Sequence, residues 1–211
     1  MPRTGRPRAF NRDEAVAAAM VLFWEHGYES TSLAQLRAAM GNISAASFYA
    51  AFDSKESLFR EAVDKYLSTY GQVSECFRDT SLTSRAAMEQ GLRQSARMQT
   101  EHSHPLGCLL ILSAVNCSPG HHHIQEILAK EREKVHGWLK DCIERAVVNG
   151  ELPDSTDIPM LVTLFETFLR GISLQARDGV PYETIDAAIT QLMSVWDALS
   201  ANPRDLRDKR L

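Results

Sequence analysis

The sequence predicts an all-α protein, with a unit of three helices at the N-terminus followed by a larger helical domain. Three observations lead there. No stretch alternates apolar and polar residues over the length of a strand. Apolar residues recur instead at helical spacing from Val16 to Trp196. Between these periodic stretches lie Asn, Asp, Ser and Thr, which cap helices, and Gly, which stops them.

In chain order, Asn11 or Asp13 can cap a first helix carrying Val16, Ala19, Met20 and Phe23, with Gly27 as its stop. The stretch STSLAQLRAAMG follows, with Ser30 or Thr31 as cap, Leu33, Leu36 and Met40 on one face and Gly41 as terminator. A third short helix covers Ser44 to Phe52, and Asp53 or Ser54 caps a long helix from Lys55 to about Phe77. Further helices are expected at about 83–101, 105–116, 120–149, 157–178 and 182–199. The natural division is residues 1–54 as arm and helix-turn-helix, and residues 55–211 as a larger helical domain.

Composition narrows the function classes. A chain of 211 residues with 44% hydrophobic and 24% charged residues can bury a sizeable core and has the balance of a globular protein. No apolar run approaches the roughly 18 residues of a membrane helix, and no signal peptide is visible, so a cytoplasmic protein with no membrane partner is expected. The four cysteines, Cys76, Cys108, Cys117 and Cys142, are widely spaced and read as thiols. Net charge is -4, but it is unevenly spread. Residues 1–66 hold eight basic and eight acidic residues, and the remaining 145 hold fifteen and nineteen. Arg3, Arg6, Arg8 and Arg12 all precede the first acid, Asp13, which makes a cationic arm suited to phosphates or a minor groove.

Two short helices joined by a tight turn, ahead of a longer one, form a helix-turn-helix whose second helix can enter a major groove. That groove is about 12 Å wide and a helix with side chains about 10–12 Å across, so small residues let the backbone approach. Ala45, Ala46 and Ser47 would face the bases, while Phe48, Phe52 and Phe59 pack inward on Leu33, Leu36 and Phe23. Tyr49 keeps its hydroxyl for a phosphate, and Lys55 adds its ammonium to a helix N-terminus, a site suited to anions. The third helix lacks the Arg, Asn and Gln side chains that read bases in bidentate fashion. Base reading would rest on the hydroxyls of Ser44 and Ser47, on alanine contacts to thymine methyls, on Arg37 from the preceding helix and on Arg6 and Arg8 in the arm.

Residues Gly5 to about Val63 resemble the DNA-binding region of the TetR-type transcriptional regulators, through the elements G-Y-x-x-T-S-L, Y-x-x-F and S-K-E-x-L-F. The resemblance implies a homodimer on double-stranded operator DNA, with a helical domain that binds an inducer. It places Thr31, Tyr49 and Lys55 at phosphates and Ala45 to Ser47 at bases. The turn Gly41-Asn42-Ile43-Ser44 is one residue longer than the usual pattern, which leaves the start of the third helix open by one position.

HPLGCLLILSAVNCSPGHHHIQEI resembles a Gly-Cys-Leu-Leu element of electrophile-responsive and oxidant-responsive subgroups. Cys108 in the first turn of an apolar helix would have its thiolate favoured by the helix dipole; as a small buried hydrophobe it would be inert. Cys117 closes the same helix and reads as packing. His122 and Glu126 share a helix face, and copper or zinc would suit them, but consecutive histidines point in different directions, so no metal site and no cofactor are expected. An enzyme built on Cys108 would need a base and an oxyanion site, for which there is no motif. Met98, Cys108, Trp138, Phe165 and Phe168 are the candidates for an inducer or sensing pocket. The apolar surplus of the last two helices points to a four-helix dimer interface through Phe165, Phe168, Ile172, Ile189 and Trp196, with a wide single-chain core as the alternative. The expected function is a dimeric regulator, a repressor released from a pseudo-palindromic operator by a small molecule or by thiol modification; a metal-responsive regulator is the alternative and a thiol enzyme the more distant one.

Overall fold

The computed structural model describes residues 11–115 and 117–201. Among these the secondary structure is helical throughout: α1 (Arg12–Ser30), α2 (Leu33–Ala39), α3 (Ala45–Phe52), α4 (Lys55–Leu67), α5 (Ser84–Thr100), α6 (Leu109–Leu112), α7 (His122–Val148), α8 (Ile158–Arg177) and α9 (Tyr182–Ser200). A 3-10 segment, Tyr70–Arg78, joins α4 to α5.

Local chemistry sets the ends. Asn11 caps α1 by accepting from the amides of Asp13 and Glu14. Gly27, at φ 80°, breaks the regular helix as expected, although helical turns continue to Ser30. The α2 cap is Ser32, not Ser30 or Thr31: the Ser32 hydroxyl takes the Gln35 amide at 3.2 Å and the Gln35 side chain returns to the Ser32 amide at 2.8 Å.

Two expected helices are shorter than periodicity implied. The helix from Lys55 stops at Leu67 because the Ser68 and Thr69 hydroxyls both donate to the Lys65 carbonyl, at 3.0 and 2.7 Å, and Thr69 leaves helical geometry. The helix expected over 105–116 shrinks to Leu109–Leu112. On its N-terminal side Gly107 has φ 83° and donates to the Gln99 carbonyl. On its C-terminal side the Ser113 carbonyl turns to accept the Tyr28 amide at 2.7 Å, so the helix is exchanged for a tie to α1.

Apolar side chains gather into two cores. One joins α1 to α4 with α6 and the first turns of α7, around Phe23, Trp24, Phe48, Phe59, Tyr66, Leu109 and Leu128. The other holds Phe77 with α5, α7, α8 and α9, around Leu92, Leu139, Phe165, Ile189 and Trp196. α7 contributes to both cores, and α6 sits against the first beside the cavity described below.

Candidate DNA-reading surface and sensing cavity

The turn between α2 and α3 uses two left-handed residues, Gly41 at φ 84° and Asn42 at φ 58°, and Arg37 Nε donates to the Ile43 carbonyl at 2.8 Å to hold it. The Ser44 hydroxyl then accepts the Ser47 amide at 3.0 Å, which fixes the first helical residue as Ala45. Phe48 and Phe52 are buried, and the Phe59 ring packs edge-on against Phe23 at 5.0 Å. The opposite face of α3 is open: Ser44, Ala45, Ala46, Ser47 and Tyr49 are all exposed, Tyr49 by 51%. A second hydroxyl cap, Ser54 on the Ser57 amide, starts α4 and sets Lys55 in its first turn.

Several predicted contact residues are placed differently. Thr31 is buried, and its hydroxyl donates to the Gly27 carbonyl at 2.6 Å, so it bridges the kink in α1 and does not offer a donor to phosphate. Arg37 is half-buried and holds the turn. Arg12 belongs to no free arm: it forms a two-pronged ion pair with Glu61 and lies over the Phe52 ring. The Lys55 ammonium sits 4.3 Å from the centre of the Tyr28 ring, and burial holds its pKa below the ordinary lysine value. Arg6 and Arg8 lie outside the described residues.

Beneath this unit is a cavity of about 240 Å³. Met98, Cys108 and Trp138 line it, together with Tyr66, Gln99, Arg132 and Ser173. Phe165 and Phe168 do not: Phe165 is wholly buried against Trp196, ring centres 5.9 Å apart, and Phe168 faces a separate groove between α8 and α9. Deep in the wall the Ser173 hydroxyl donates to Gln99 Oε1 at 2.6 Å.

Cys108 occupies the cap position of α6, and its sulfur accepts from the Tyr66 hydroxyl at 3.2 Å. Of the two readings open for Cys108, its surroundings favour the buried thiol. Burial pushes the thiol pKa up, opposed by hydrogen bonds from Tyr66 and from the amides of Ile111 and Leu110 and by the charge of Arg132. A helix of four residues has too little dipole to reverse desolvation, so the surroundings favour the thiol over the thiolate.

The cavity wall is tied to the DNA-reading unit at several points. Tyr66 belongs to α4 and packs edge-on against Trp24, ring centres 4.9 Å apart. Trp24 Nε1 donates to the Gly107 carbonyl at 3.1 Å, next to Cys108. Arg177 of α8 donates to the carbonyls of Trp24 and Glu25, both at 3.1 Å. At the start of α7, His121 meets Glu29 at 2.6 Å and His123 meets Glu56 at 3.0 Å. His122 is exposed. The three histidines thus address different neighbours, and among the described residues no three His, Cys, Asp or Glu side chains converge as a metal site would require.

The expected dimer residues are also corrected. Phe165, Ile172, Ile189 and Trp196 are covered within the single chain, where they join α8 and α9 to α5 and α7. The apolar surface left open on these helices is carried by Met160, Leu174 and Val195, beside a groove formed by Phe168, Gly171, Thr184 and Ala188. Sequence periodicity missed Tyr66, Arg132, Gln99 and Arg177 as site residues. Tyr66 sits in an ordinary helical stripe with Phe59, Ala62 and Val63, and its contact with Cys108, 42 residues on, leaves no mark in local pattern.

A capped helix-turn-helix with an open small-residue face, seated on a helical domain with a side-chain-lined cavity, defines a DNA-binding transcriptional regulator. The chain belongs to the TetR family: the family model "Bacterial regulatory proteins, tetR family" matches residues 15–62 and "Tetracyclin repressor-like, C-terminal domain" matches residues 85–196. It is 31% identical to the HTH-type transcriptional repressor ComR of Escherichia coli over 92% of this chain and 93% of that protein. To the HTH-type transcriptional repressor BdcR of the same organism it is 27% identical, over 87% of each chain. Among solved structures it resembles a cysteine-substituted TetR family transcriptional regulator CifR complexed with 26bp double-strand operator DNA, at TM-score 0.84 and 37% identity, covering 91% of this chain and 100% of that one. Among the described residues no helix is long and apolar enough to cross a membrane.

Proposed function

We propose that this regulator is a repressor that binds a pseudo-palindromic operator as a homodimer and lets go when the cavity beside Cys108 is occupied or its thiol modified. The single observation that carries this reading is the Tyr66 to Cys108 hydrogen bond, because it joins the cavity directly to α4, the helix on which the DNA-reading unit stands. A group added at Cys108 must displace Tyr66 or α6. Displacing Tyr66 moves α4, and displacing α6 moves the Gly107 and Ser113 carbonyls that hold Trp24 and Tyr28. Half-sites lie about 34–36 Å apart, so a few ångströms of change between two recognition helices breaks simultaneous contact. The relatives named as repressors and the solved operator complex support this direction of control.

The DNA contacts assigned to this reading are the exposed face of α3, with Ser44, Ala45, Ala46 and Ser47 at the bases and Tyr49 and Lys55 at phosphates, with the arm residues Arg6 and Arg8 alongside. The dimer would form by pairing α8 and α9 with their copies through Leu174, Val195 and the intervening groove, an isologous contact that supplies the two-fold axis of a palindrome. Selection of bound fragments from random DNA tests the reading: inverted half-sites, with two chains bound per fragment, are expected. A single half-site, or binding without sequence preference, would overturn it. Leu174→Glu combined with Val195→Glu should give folded monomers in sedimentation that bind the selected fragment at least about tenfold more weakly.

A further inference from the structure

The geometry points to a small organic acid as the cavity's reversible ligand, with its carboxylate seated on Arg132 beside Cys108. This inference rests on the reading of the cavity as the effector site. Among the described residues lining the cavity, every acid has a cationic partner. Glu131 pairs with Lys134 at 2.8 Å, Glu166 pairs with Arg170 at 2.5 Å and with His136 at 2.9 Å, and Glu75 pairs with Arg78 at 2.9 Å. Arg132 is the cation left over: its one hydrogen bond among the described residues is to the Leu110 carbonyl, at 2.6 Å. A guanidinium has five N–H donors in a planar fork that fits a carboxylate in two-pronged fashion, so one neutral carbonyl leaves most of its capacity unused.

Arg132 is moreover half-buried, and both desolvation and the charge of Arg170 press against its ionised form. An anion between α7 and α8 would relieve both costs. The rest of the cavity matches an apolar body, since its wall is mostly apolar, with Met98, Leu110, Val135, Trp138 and Leu169 among the lining side chains. Its volume of about 240 Å³ leaves room for a monocyclic aromatic or short unsaturated acid. A ligand of this class lies against the Cys108 sulfur and the Tyr66 hydroxyl, so occupancy alone reaches the α4 contact without a covalent step.

Calorimetric titration of the full chain with benzoate and cinnamate, each beside its primary amide, tests the assignment. The acids should bind at least about tenfold more tightly than their amides, and Arg132→Gln should bring that ratio to about one. Circular dichroism checks the fold of the variant, and the acid-to-amide ratio of the unaltered protein is decisive even if the variant does not fold. Amides binding as tightly as acids, absence of binding by either acid, or an acid preference surviving in Arg132→Gln would each overturn the proposal. A parallel arm measures release of the selected DNA fragment by N-ethylmaleimide. If the maleimide releases DNA while the acids do not bind, only the anion assignment falls; if neither acts on the complex, the cavity is not the effector site and both fall.

Discussion

α3 and α6 are both short helices that follow left-handed residues, yet they are held in opposite ways. α3 is held by Ser44, which caps it, and by Arg37, which closes its turn; its inward face is two buried phenylalanines and its outward face is small and open. α6 has no side-chain cap, is largely buried, and is held by carbonyls reaching into α1 and by a hydroxyl from α4. The reading helix is locally self-sufficient, so it can present one surface to DNA without change. The sensing helix borrows its stability from its neighbours, so whatever displaces it is felt by them. This difference is what the proposed signal from Cys108 to α3 would use.

The largest expected effect comes from stiffening the borrowed helix. Gly107→Ala places a Cβ 2.4 Å from a Leu112 methyl and 2.9 Å from the Ser173 carbonyl, at a φ of 83° that L-residues avoid. Denaturant unfolding should show a loss of about 3 kcal/mol. A loss under about 1 kcal/mol would mean that α6 adjusts independently of α1 and α8. Next, Ser44→Ala removes the α3 cap together with a proposed base contact, so it should cost about 1 kcal/mol of stability and weaken binding to the selected fragment more than to unrelated DNA. Tyr66→Phe deletes the link from α4 to Cys108 at a similar cost, about 1 kcal/mol, but should leave DNA affinity near its original value while blunting release by a thiol reagent. The contrast between these two variants sharpens the division: one should change reading without sensing, the other sensing without reading. The smallest effect is Lys55→Gln, which should lower the slope of log affinity against log salt by about one and cost no more than about 1 kcal/mol of stability through its lost contact with Tyr28.

The pH profile of thiol reactivity discriminates further. Because burial raises the Cys108 pKa, alkylation by iodoacetamide at pH 7 should be slower than that of a free thiol. The rate should climb about tenfold per pH unit and show no plateau below about pH 9, as expected for a thiol held protonated. A plateau near neutrality would restore the activated thiolate.

The sequence made α1 to α4 legible because their signals are local: serine and asparagine caps, glycine stops, a small-residue run and inward phenylalanines all act within four residues. The same logic failed at Thr31, whose hydroxyl serves a carbonyl four residues back, and at Ser68 and Thr69, which end α4 by the same kind of bond. It failed more widely at α6, where the apolar pattern of a longer helix is overridden by ties to α1 and α5 that no window contains. Of the cavity, Met98, Cys108 and Trp138 were readable as large or reactive groups on helices. Tyr66 and Arg132 were not, because their roles depend on partners 42 and 22 residues away. Phe165 and Trp196 show the reverse error: an apolar surplus on α8 and α9 that pointed to a partner chain fills this chain's own core.

The proposed communication from Cys108 to α3 through Tyr66 and α4 is tested on a variant retaining Cys108 alone, with Cys76→Ser, Cys117→Ser and Cys142→Ala. Its affinity for the selected DNA fragment is measured by fluorescence anisotropy before and after stoichiometric reaction with N-ethylmaleimide, with the adduct verified by mass spectrometry. Adduct formation should lower the affinity at least about tenfold, corresponding to about 1.4 kcal/mol of coupling between the two sites. Unchanged affinity with Cys108 fully modified would contradict this coupling, because the cavity would then be a void in the fold with no hold on the reading helix.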